Sequence, residues 1–160
     1  MKFLTRLAAT LAMATISAAT TRGGTPKTDF SFTTRDGRPT TLHTELRALQ
    51  PDARVWLLLF DPDCGECRQL EEKLMADPAI TSGLPSRATA VIAVYPTDGI
   101  PEADDPNLAA YRRACDELPA EWTVGTDNGS IFETDACTWD NLPLLMEFNA
   151  GDILPACETH

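Results

Sequence analysis

Two continuous apolar runs stand out along the chain. Val55-Trp56-Leu57-Leu58-Leu59-Phe60 and Ala90-Val91-Ile92-Ala93-Val94-Tyr95 stay apolar at every position over the length of a strand. A strand covered on one face only would alternate, so these runs predict strands over residues 54–60 and 89–95, each buried on both faces. Phe30-Ser31-Phe32-Thr33 does alternate, and Asp36-Gly37 marks a tight turn before Thr40-Thr41-Leu42, which together predict a small β-hairpin. Thr44 is expected to cap a short helix running to Leu49, ahead of Pro51.

Helical spacing appears next. Leu70, Leu74 and Met75 fall on one face of a helix over 68–75, with Glu71, Glu72 and Lys73 opposite, and Asp77-Pro78 ends it. Residues 96–106 read as a loop, and Pro106 suits the start of a helix over 107–116. Trp122-Thr123-Val124 is a candidate third strand. Residues 144–148, a turn at 149–152 and Ile153-Leu154 read as a closing hairpin. Strands separated by helices define an α/β class with a central mixed sheet flanked by helices.

Composition narrows the class of partner. The chain has 160 residues, enough for one ordinary domain with a proper core. Its 43% hydrophobic and 23% charged content is that of a globular protein. A formal net charge of −11 argues against nucleic acid and against an anionic membrane face as partner. At the N-terminus, Lys2 and Arg6 precede a mildly apolar stretch over 7–16 and the small residues Ser17-Ala18-Ala19. That is the layout of a secretory signal peptide over 1–19, too short to span a bilayer, so no integral membrane segment is expected in the mature form. Residues 20–27, rich in Thr and Gly, read as a linker.

The candidate chemistry lies in Cys64-Gly65-Glu66-Cys67, between the first apolar run and the amphipathic helix. Two cysteines separated by two residues can reach each other once a helix begins. The helix N-terminus supplies unpaired N–H groups and a positive dipole end, which favour a thiolate on the first sulfur. Such a dithiol can cycle with a disulfide: Cys64 attacks and Cys67 resolves. Asp63, Gly65 and Glu66 make up the rest of the turn. The other three cysteines, Cys115, Cys137 and Cys157, are scattered. A Cys115–Cys137 bridge and buried thiols acting as small hydrophobes both remain open.

The order of these elements resembles the thioredoxin-like superfamily, closest to exported TlpA/ResA-type thiol–disulfide oxidoreductases and the thioredoxin-like domains common in Bacteroidetes. The resemblance covers about residues 28–154. Residues 30–38 look like that group's N-terminal hairpin, and Leu58-Leu59-Phe60-Asp61-Pro62-Asp63-Cys64-Gly65-Glu66-Cys67 looks like its strand and active-site turn. Residues 96–121 look like its mid-chain insertion. Leu142-Pro143-Leu144-Leu145-Met146 looks like the segment bearing the superfamily's cis-proline. The resemblance implies that Pro143 follows a cis bond beside the dithiol, where Leu142 and Pro143 receive an extended substrate strand. It implies a thioredoxin-like domain over 28–160, no cofactor, protein thiols or disulfides as partners, and a location in the periplasm or cell envelope of a Gram-negative bacterium.

Three departures from the family pattern stand out. Asp63 occupies the place of a Trp that often precedes the first cysteine, and Leu58 that of thioredoxin's buried acid. The chain also reaches His160 soon after residue 154, where relatives usually add a terminal helix. The N-terminal segment or a partner is then expected over part of one sheet face. Asp61, Asp63 and Glu66 crowd Cys64, opposed by Arg68. One carboxylate about 7 Å away costs a thiolate roughly 0.5–2 kcal/mol, which makes the disulfide relatively stable and the protein reducing in type. The alternative is a non-catalytic thioredoxin-fold module that binds a protein or peptide.

Metal binding is disfavoured, because a structural zinc site wants two close ligand pairs and only Cys64/Cys67 is paired. His43 reads as a surface residue at a helix start, Trp122 and Trp139 as core or site wall. Asp127-Asn128-Gly129 reads as a turn without the ligands of a calcium loop.

Overall fold

The computed structural model describes residues 29–82, 84, 88–97, 106–127, 129, 131 and 142–153. The leader expected over 1–19, the linker expected over 20–27, Trp139, Cys137 and Cys157 lie outside the described residues. A hairpin of β1 (Ser31–Thr34) and β2 (Pro39–Thr41) leads into α1 (Leu42–Arg47) and β3 (Arg54–Leu59). Then come α2 (Gly65–Ala76), α3 (Pro78–Thr81), β4 (Thr89–Tyr95), α4 (Pro106–Glu117), β5 (Thr123–Asp127), β6 (Leu144–Asn149) and α5 (Ala150–Ile153). The strands form one mixed sheet in the order β2-β1-β5-β4-β3-β6. β3 and β4 are parallel, as are β4 and β5, while β6 runs antiparallel to β3 and β1 antiparallel to β5.

Continuous apolar strands are explained by two cores, one on each sheet face. Val55, Leu57 and Leu59 of β3 join Ile92 and Val94 of β4 against α1 and the hairpin. Trp56, Leu58 and Phe60 point the other way, joining Val91, Ala93 and Tyr95 beneath α2, α3 and α4. Leu57 and Leu58 are both fully buried, each worth about 1.5–3 kcal/mol relative to exposure. Period-two alternation is therefore present in the packing but invisible in polarity.

Gly37 sits at φ 82° in the hairpin turn, a conformation that glycine adopts without a Cβ penalty. Thr41, not Thr44, caps α1: its hydroxyl accepts the Thr44 N–H at 3.2 Å, so the helix begins earlier than expected. That shift turns His43 inward. The residue is buried, with its ring Nδ1 3.4 Å from Asp29 and its backbone N–H donating to Asp29 Oδ1 at 2.9 Å. The third strand begins at Thr123 and leaves Trp122 buried in the second core.

The expected closing hairpin is replaced by the helical turn α5. Its first N–H groups bind back to the β3 approach, Ala150 N–H to Ala53 O at 2.9 Å and Gly151 N–H to Pro51 O at 2.7 Å. A Cβ on Gly151 would lie 2.8 Å from that Pro51 oxygen, so the close approach depends on glycine. The sheet is mixed through β6 and the hairpin alone. No helix among the described residues is long and apolar enough to cross a membrane.

Candidate active site

β3, between β4 and the edge strand β6, delivers the chain to the site. The turn after it is built on Asp61, whose carbonyl accepts the Cys64 N–H at 3.0 Å and whose Oδ1 accepts the Asp63 N–H at 2.9 Å. Cys64 is the N-cap of α2, with extended backbone and a sulfur that accepts the Cys67 N–H at 3.3 Å. The helix starts three residues before the amphipathic pattern does, since the cap rather than an apolar face defines its first turn.

Exposure separates the two sulfurs. Cys64 is partly exposed, whereas Cys67 is fully buried in the second core. Both are free thiols, as is the buried Cys115. Burial pushes the Cys67 thiol far above its ordinary range; hydrogen bonding to Cys64 adds to this, and the Asp61 N–H at 3.3 Å from its sulfur works against it. Burial likewise raises Cys115, opposed by Tyr111 and Arg35.

Across from the turn, the Leu142–Pro143 bond is cis. The register pairs Leu59 with Leu144, so Pro143 and Phe60 are the next residues outward on adjoining strands. Pro143 is buried, and the half-buried Leu142 packs against both cores, the second of which also carries Cys64 at its margin.

The charged rim differs in two respects from the sequence expectation. Arg68 is not the sole cation near the turn, because Arg113 Nη2 of α4 stands 3.8 Å from Asp63 Oδ1. Both side chains are largely exposed, so the pair contributes little energy and chiefly marks how near α4 lies to the turn. Glu71, read as solvent-facing, is buried with Cys67, Leu70 and Leu74. Its carboxyl is pushed up to about 7, chiefly by burial. The spacing of Cys67, Leu70, Glu71 and Leu74 along one helix face carries that signal in the sequence despite the polarity of Glu71. Arg113 had no local signal. Among the described residues no group of His, Cys, Asp and Glu converges as a metal site.

No family model matches this sequence, and no curated protein matches it. Solved structures do. A thioredoxin-like protein from Bacteroides caccae is 25% identical with a TM-score of 0.64; the match covers 82% of this chain and 43% of that one. The C-terminal domain of an uncharacterized protein from Bacteroides fragilis is 22% identical at a TM-score of 0.63, covering 82% and 86%. The thioredoxin domain of a thiol–disulfide oxidoreductase from Bacteroides vulgatus is 10% identical at a TM-score of 0.58, covering 82% and 84%. This chain thus spans less than half of the Bacteroides caccae protein. Together with the sheet order, these likenesses establish a thioredoxin-like α/β fold.

Proposed function

We propose that the protein is a thiol–disulfide oxidoreductase that reduces disulfides of protein partners in the cell envelope. One observation carries this reading: a partly exposed Cys64 sulfur caps α2 and accepts the N–H of a buried Cys67 one turn on. The N–H contact at the helix start fixes a partly exposed sulfur where a partner disulfide can reach it. Cys64 attacks the partner disulfide and releases one partner thiolate. Cys67 then loses its proton and attacks Cys64 in the mixed disulfide, releasing the second partner thiolate and leaving a Cys64–Cys67 disulfide.

Leu142 and Pro143 hold the partner segment in extended form, with Asp63, Gly65 and Glu66 forming the opposite lip. The basic-then-apolar N-terminus supports export to the periplasm. The oxidoreductase from Bacteroides vulgatus shares only the fold, so the activity rests on this chain's own sulfurs.

The test is reduction of a protein disulfide such as that of insulin, with Cys64→Ser and Cys67→Ser alongside. Turnover that vanishes in Cys64→Ser, and a mixed disulfide that accumulates in Cys67→Ser, are the expected results. Turnover indifferent to Cys64, or absent altogether, would leave a binding module in its place. A reduction potential near −120 mV would overturn the reducing direction.

A further inference from the structure

The second thiol in this site is hard to ionise chiefly because it is buried, and Asp61 acts on it in two ways of opposite sign. Asp61 donates its N–H to Cys67 Sγ at 3.3 Å, which fixes the sulfur and favours charge on it. Its carboxylate acts with the opposite sign, its negative charge opposing a thiolate at Cys67. That carboxylate is tied by Oδ1 to the Asp63 N–H, within the turn's own backbone. Asp61 is half-buried, so its charge reaches a fully buried sulfur through a medium that screens less than water.

We propose that Asp61 is a positioning residue for Cys67, its N–H aiming the sulfur while its carboxylate delays attack on the Cys64 mixed disulfide. The inference rests on the exchange reaction proposed above and adds its timing. In the step concerned, the Cys67 thiol gives its proton to solvent and the resulting thiolate forms the Cys64–Cys67 bond. The partner sulfur leaves with the electron pair of the mixed disulfide. A slow second step keeps the partner attached longer.

The ionisable groups acting on Cys67 are Cys64 and Asp61. Others in the same layer are Glu66, Arg68 and Glu71 on α2, Tyr95 on β4, and Tyr111 and Cys115 on α4. None of these ranks with the first two as an influence on this sulfur among the described residues.

Asp61→Asn isolates the charge, because the amide keeps an oxygen for the Asp63 N–H and leaves the backbone N–H in place. Reduced protein treated with Ellman's reagent forms a Cys64 mixed disulfide with the first chromophore release, and Cys67 attack gives the second. In Asp61→Asn the second release is expected about threefold faster, since the gain in thiolate outweighs the loss of nucleophilicity. Its pH profile moves to lower pH, and Asp61→Glu restores the wild-type profile. An unchanged profile would reduce Asp61 to a turn former. A slower second release would make its carboxylate a proton acceptor instead. Either result overturns the inference. Failure of the exchange reading looks different, as a first release that persists in Cys64→Ser. The Cys67 titration followed by carbon-13 NMR then still decides, and a titration unmoved by Asp61→Asn ends the inference.

Discussion

The guanidinium of Arg35 donates to the carbonyl of Cys115 at 2.8 Å across eighty residues of sequence. The same group reaches Leu118 O at 3.1 Å, Pro119 O at 2.8 Å and Trp122 O at 3.1 Å. Carbonyls at a helix C-terminus have no partner within the helix, and here one side chain from the hairpin serves them. The hairpin is thereby fastened to α4, the helix that brings Arg113 to the turn ahead of Cys64. Arg35→Ala is expected to cost about 2–3 kcal/mol in urea unfolding, because charge-assisted bonds are lost and carbonyls are stranded. Arg35→Lys should recover only part, since an ammonium cannot span four acceptors. A loss within experimental error for the alanine variant would contradict the fastening role.

Two glycines make a paired test of packing. A Cβ on Gly125 would lie 2.5 Å from Phe32 Cδ2 and 2.7 Å from Thr33 O, where β5 meets β1. Phe32 is fully buried and the oxygen is backbone, so neither yields cheaply. Gly125→Ala should destabilise by about 1–3 kcal/mol. Gly65, between the two cysteines, has nothing within 4 Å of a Cβ. Gly65→Ala is expected to be neutral or to stabilise by up to about 1 kcal/mol. Thermal unfolding of both variants reads the contrast, and equal effects would refute it.

Glu71 predicts a pH dependence with a definite sign. Burial lifts its carboxyl from the ordinary 4.5 to about 7; Arg68 opposes this, and Glu117 and Glu72 add to it. The folded state therefore holds this proton more tightly than the unfolded chain does. Its contribution falls as pH rises from about 4.5 to about 7 and is constant above, amounting to as much as about 3 kcal/mol. Glu71→Gln should be more stable than wild type above neutrality, and the difference should shrink toward pH 4. Denaturant midpoints measured across that range check it; parallel pH curves for the two proteins would contradict it.

Thiol reactivity should follow burial. In the native reduced protein near neutral pH, iodoacetamide is expected to label Cys64 first. Cys67 and Cys115, both buried and both raised by burial, should react only after unfolding. Peptide mass spectrometry distinguishes the sites. Cys115 labelled as fast as Cys64 would contradict the core around α4.

How much of this was legible depends on the range of the interaction. β3 and β4 were found within one residue, because burial on both faces leaves an uninterrupted apolar run that few other elements share. The turn between β1 and β2 was found because glycine at positive φ is a local requirement. The closing hairpin was misread, since alternation cannot reveal that Ala150 and Gly151 bond to Ala53 and Pro51. Asp127 read as part of a turn, yet it ends β5, is fully buried, and its Oδ2 accepts the Ile131 N–H at 2.9 Å.

By itself the amino-acid sequence determined the α/β class, the two interior strands β3 and β4, and the dithiol turn at a helix start. Each of these depends on residues only a few positions apart. Tertiary structure alone decided how completely Cys67 is enclosed, how Pro143 comes to adjoin Phe60, and how Arg35 and Arg113 reach their partners. These relationships depend on distant segments meeting across a sheet, and desolvation, the largest influence on Cys67 and Glu71, exists only after they meet.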